Sequence, residues 1–112
     1  TIEEGAFIEC IMLKCIVLPP SVTTIGKGAF VACLALQSIQ IPASVRTIGK
    51  FAFCECRSLP PIVVPASVTT IGKGAFYNCS SLQCYLIISS VLNVDSRAFR
   101  GCRNMQYIRQ FE

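Results

Sequence analysis

The chain has 112 residues, 53% of them hydrophobic and 14% charged, with ten Lys and Arg against six Asp and Glu, a formal charge of +4, eight cysteines and no histidine or tryptophan. One domain's length with so much to bury excludes disorder, and the absence of imidazole excludes Ser-His-Asp and Cys-His nucleophile pairs and Cys₂His₂ fingers. The modest positive charge falls short of a dedicated nucleic-acid domain, and apolar runs such as Ile16 to Leu18 are far shorter than the roughly 18 to 20 residues that span a bilayer.

Along the chain one register repeats. The pair Ala-Phe recurs at Ala6-Phe7, Ala29-Phe30, Ala52-Phe53, Ala75-Phe76 and Ala98-Phe99, a step of 23 residues. A cysteine follows each Phe by three places, at Cys10, Cys33, Cys56, Cys79 and Cys102, and a large apolar residue three later, at Leu13, Leu36, Leu59, Leu82 and Met105. Ile2, Ile25, Ile48, Ile71 and Val94 keep the same step. A period in the twenties marks a solenoid, in which no repeat buries its apolar side alone. The register divides the chain into five units, 1–23, 24–46, 47–69, 70–92 and 93–112, without insertion or deletion.

Within a unit, Ile25, Ala29, Phe30, Cys33 and Leu36 are spaced as on one face of a short helix or helical turn. Gly26, Gly49 and Gly72 fall where the chain swings into that segment, a place for a left-handed backbone or for close packing. The spacing L-x-x-I-x-I from Leu36 to Ile41 predicts a short strand with one face inside. Pro42 lacks an amide hydrogen and is expected to end the pairing. Stacked coils then pair these strands in parallel.

The segments Leu36 to Phe53 (LQSIQIPASVRTIGKFAF) and Val64 to Leu82 (VPASVTTIGKGAFYNCSSL) resemble the BspA-like leucine-rich-repeat family, and the likeness extends over nearly the whole chain. The resemblance implies an α/β fold: a right-handed leucine-rich-repeat solenoid with parallel strands on the concave face and short helices or helical turns on the other. It also implies a non-catalytic protein-binding module of a cell-surface or secreted adhesin. The alternatives are a structural spacer or stalk and an intracellular interaction scaffold. The likeness weakens at the ends, where Leu18-Pro19-Pro20 and Val94-Asp95-Ser96 replace the repeat's own residues, and Ile88 stands where earlier units have Pro. The chain reads as a fragment of a longer protein.

Five of the eight cysteines form one inward column of small apolar groups. Cys15 and Cys84 share another position, and neither C-E-C at Cys54 to Cys56 nor the C-x₄-C spacings make zinc knuckles; no metal or cofactor is expected. Cys54, with Arg57 nearby, is the one candidate for thiol chemistry. If Leu36, Ile39 and Ile41 point inward, two rows point outward: Cys15, Ser38, Pro61, Cys84 and Tyr107, and Val17, Gln40, Val63, Leu86 and Arg109. The partner-binding candidates are accordingly Ser38, Gln40, Pro61, Val63, Cys84, Leu86, Tyr107 and Arg109, because apolar residues at solvated positions mark contact sites. The expected partner is a protein, host or cell-surface, with neither nucleic acid nor membrane insertion. Lys27, Lys50 and Lys73 make a cationic column that reads as a solvated face able to attract anions, with no aromatic interleaving. Asn78-Cys79-Ser80 is formally a glycosylation acceptor in a context that argues against use.

Overall fold

The computed structural model describes residues 1–59, 62–80, 84–88, 93–102 and 106–109. Each coil carries two short strands. The β-branched Thr-Ile pairs form β2 (Thr24–Ile25), β4 (Thr47–Ile48) and β6 (Thr70–Ile71), continued by β8 (Asn93–Val94). These four make one parallel sheet in that order, and Ile2 bridges to Ile25 at its start. The expected L-x-x-I-x-I strands appear as β1 (Cys15–Ile16), β3 (Ser38–Ile39), β5 (Ile62–Val64), β7 (Cys84–Ile88) and β9 (Gln106–Arg109). They too are parallel, but among the described residues they fall in two pieces, β1-β3 and β5-β7-β9. The Thr-Ile stack was not foreseen, since a two-residue strand leaves no alternation to read.

No helix forms among the described residues. The segment expected to be helical is a chain of turns in which left-handed residues recur every fourth place, Gly28 at φ 63° and Ala32 at φ 58°. A helix cannot pass through them. The backbone is satisfied another way: Ala29, Val31 and Cys33 donate to carbonyls three residues back, while Gly28, Phe30 and Ala32 donate to Lys50, Ala52 and Cys54 of the next coil. Alternate amides thus close the turn and tie the coils.

The core is columnar. Phe7, Phe30, Phe53, Phe76 and Phe99 stack nearly parallel, with the Phe30, Phe53 and Phe76 centroids 5.2 Å apart. The cysteine column runs beside them as expected, and four of its five thiols have a polar use. Cys33, Cys56, Cys79 and Cys102 donate to the carbonyls of Phe7, Phe30, Phe53 and Phe76 in the preceding coil at 3.1, 3.0, 2.9 and 2.9 Å. Cys10, Cys15, Cys33, Cys54, Cys56, Cys79 and Cys102 are all free thiols. Burial pushes the Cys56 thiol up to about 12.

Close packing, and not a left-handed backbone, explains the I-G-K glycine. A Cβ on Gly49 would lie 2.8 Å from the Lys27 nitrogen and 2.9 Å from the Gly26 carbonyl carbon, and Gly72 meets Lys50 in the same way. The left-handed positions sit two residues later, at Gly28 and Gly74.

The uninterrupted 23-residue register holds on the Thr-Ile side, from Ile25 with Ile48 to Ile71 with Val94. It fails on the other. Ile62 pairs with Cys84, a step of 22, and Leu86 with Tyr107, a step of 21. β5 ends at Val64, directly before Pro65, while β1 and β3 already end two residues short of Pro19 and Pro42; Ile88 stands at the proline position and is part of β7, which runs five residues. Its sequence Cys-Tyr-Leu-Ile-Ile is apolar at both parities, so side-chain alternation no longer selects one register.

Candidate functional site

The split between β3 and β5 has a cause in the sequence. The amides of Gln37 and Ser38 both donate to the Lys14 carbonyl, at 2.8 and 3.1 Å. One coil later the same positions are Pro60 and Pro61, which have no amide hydrogen to give. A groove of about 510 Å³ opens across these coils. Ile39 and Ile62, both buried, line its inner part, with Ile16 beside them. Val17 and Val63 stand at its mouth, 85% and 53% exposed, with the exposed Gln40 between them in sequence position. Pro42 and Pro65 line its end.

Ser38, Gln40 and Val63 of the expected contact residues line this groove. Pro61 lies outside the described residues. Cys84, Leu86, Tyr107 and Arg109 are placed by strand register alone, and that register departs from the two expected rows. Cys84 pairs with Ile62 instead of following Pro61, and Leu86 pairs with Val64 instead of Val63. The position beside Val63 is Tyr85, and Gln106 follows it. Tyr107 continues from Leu86 and Arg109 from Ile88. The slipped register of β7 and β9 therefore breaks both rows after the third coil. Ile16, Ile39, Pro42 and Pro65 are groove residues the sequence reading did not single out; the Pro60-Pro61 pair was the available signal for a break in the sheet.

Among the described residues no carboxylate and no Lys or Arg lines the groove. The ion pairs lie on the turn side, Arg57 Nη2 with Glu55 Oε2 at 2.8 Å and Arg97 Nε with Asp95 Oδ1 at 3.2 Å. Hydrogen bonds from Asn78 and then Arg57 hold the Glu55 carboxyl below its ordinary range, and Arg97 does the same for Asp95. This geometry argues against a reactive thiol at Cys54. The Arg57 guanidinium is committed to Glu55, while burial and then the Glu55 charge push the Cys54 thiol up and away from the reactive thiolate. Asn78 is occupied as well: its Nδ2 donates to Glu55 Oε1 at 3.0 Å, in a backbone at φ 54°.

A model of the BspA type leucine rich repeat region matches residues 1–109 in six copies. The chain belongs to the BspA-type leucine-rich-repeat family. Repeats of this family generally mediate protein interactions and are generally non-enzymatic. A solved leucine-rich cell surface protein of Faecalibacterium prausnitzii A2-165 is 34% identical with a TM-score of 0.83, covering 95% of this chain and 29% of that one. The leucine-rich-repeat protein of T. pallidum is 39% identical with a TM-score of 0.84, covering 88% of this chain and 46% of that one. One from Bacteroides ovatus ATCC 8483 is 30% identical with a TM-score of 0.81, covering 97% and 29%. The chain thus spans less than half the length of these solved relatives. Among curated proteins none matches.

Proposed function

We propose that this BspA-type module binds a protein partner through the groove between β3 and β5, and that it does so without catalysis as part of a cell-surface or secreted adhesin. The observation that carries this reading is the groove itself: a cleft of about 510 Å³, uncharged among the described residues, with Val17 and Val63 held out to solvent at its mouth. Apolar side chains at an exposed concavity are what a partner's apolar residues bury against. An extended peptide segment is the form that fits a cleft running across coils, with Gln40 and Ser38 available for its backbone groups. The F. prausnitzii relative, a cell surface protein, supports the location.

Selection of extended peptides from a phage-displayed random library on the immobilised chain tests this reading. Val17→Glu with Val63→Glu should weaken the selected peptides by at least about tenfold, since each places a charge where apolar surface is buried, while the circular-dichroism spectrum and melting temperature stay unchanged. Peptides that bind the doubly substituted chain as tightly as the parent would remove the groove from the account.

A further inference from the structure

On a different side of each coil from the groove, directly after the Thr-Ile strands, Lys27, Lys50 and Lys73 occupy one position in three successive coils, all exposed. Their backbones are fixed. The Lys27, Lys50 and Lys73 carbonyls accept from Gly5, Gly28 and Phe51 at 3.0, 2.9 and 3.0 Å, and Gly49 and Gly72 pack against the Lys27 and Lys50 nitrogens. With parallel neighbours about 4.8 Å apart, the outer two backbones stand about 10 Å from each other. Like charges set side by side repel, and none of the three lysines forms an ion pair among the described residues. Glu4 holds the same position in the first coil, and Asp95 neighbours Lys73 in the last, so carboxylates bound the column at both ends.

Beside this column sits a strained aromatic. Gly5, Gly28 and Gly74 are left-handed, and so is Phe51 in the same position, at φ 56°. That conformation is an outlier for a bulky side chain and costs free energy that a glycine would avoid. The ring is half-buried, and it lies over Gly74, where a Cβ would fall onto its Cδ1 and Cε1 atoms. The sequence reading found no aromatic interleaved with the lysines; the structure places this one between Lys50 and the coil of Lys73, whose carbonyl its amide meets.

We propose that Lys27, Lys50, Lys73 and the ring of Phe51 form a binding site for a linear anionic polysaccharide. Ammonium groups at a fixed rise match a polymer whose sulfates or carboxylates recur along one edge, and the C–H face of a sugar ring stacks on a single aromatic plate. A single-stranded nucleic acid would need successive rings for successive bases, yet the positions on either side of Phe51 are glycines. A membrane surface would need apolar residues to insert, and the large exposed ones among the described residues, Ile8, Ile11, Met12, Val17, Leu34 and Val63, do not flank the three lysines in the chain.

Surface plasmon resonance on immobilised dextran sulfate, with uncharged dextran as blank, tests the site. K27Q/K50Q/K73Q should lose at least about tenfold in affinity and flatten the salt dependence. K14Q/R46Q/R100Q, which removes the same net charge elsewhere, should lose less than about threefold by the same argument. F51G keeps the backbone conformation and should lower affinity while leaving the salt dependence intact. Equal loss in the two triple variants would show attraction by net charge alone and overturn the proposal. Lysine-dependent binding of poly(U), or of vesicles containing one-third phosphatidylserine, tighter than that of dextran sulfate would overturn it in favour of nucleic acid or membrane.

Discussion

The thiol of Cys56 links one residue's chemistry to the stability of the stack. Its hydrogen goes to the Phe30 carbonyl of the coil before, and burial followed by the neighbouring Cys33 raises it to about 12. Burial also raises Cys33, and contact with Cys102 together with burial raises Cys79. A thiol raised in the folded state stays protonated there while the unfolded chain ionises. The folded form therefore holds more protons above the ordinary thiol range, and stability is full below about pH 9 and falls as pH rises towards 12. At pH 10 the Cys56 thiol should subtract about 1 to 2 kcal/mol from unfolding free energies measured by urea titration, and Cys56→Ala should remove its share of that slope. Phe53, fully buried between two stacked rings, sets the larger packing contribution. Phe53→Ala should cost about 3 to 5 kcal/mol in the same titration. Gly49→Ala should cost about 1 to 3 kcal/mol, because backbone and not a flexible side chain must give way.

At the scale of the strand, proline decides what pairs. Pro65 follows directly on the end of β5, and Ile88, at the same position of the unit, leaves β7 to run on. Pro60 and Pro61 remove the two donors that the preceding coil supplied from Gln37 and Ser38. Replacing them as P60Q/P61S should restore these bonds, join β3 to β5, slow amide exchange along Ile62 to Val64 and weaken any ligand of the groove. Unaltered exchange would mean that the split has another origin. Period and inward columns could be read in the sequence because Phe, Cys and Leu recur at one spacing and have one place to go. The turn conformation could not, because helical spacing and a succession of four-residue turns place Ala29, Phe30 and Cys33 on the same side. Nor could the slip of β7, since an all-apolar run suits either parity. The contact residues followed the same division: Ser38, Gln40 and Val63 lie before the slip and line the groove, while the rows drawn through Cys84 and Leu86 depended on a step of 23 that β7 does not keep.

At the scale of the molecule, the solenoid carries two independent surfaces, an apolar-mouthed cleft on the β1-β3-β5 side and a cationic column after β2, β4 and β6. The backbone ties both to the same core, so substitutions on either surface should leave the melting temperature of the other's variants additive. The central claim is that a protein partner occupies the cleft. Hydrogen–deuterium exchange of the chain with a selected peptide bound tests it most directly. Protection is expected at Ile16 to Leu18, Ser38 to Ile41 and Ile62 to Val64, with the turns around Phe30 and Phe53 unchanged; protection confined to the turn side, with those three segments exchanging as in the free chain, would contradict it.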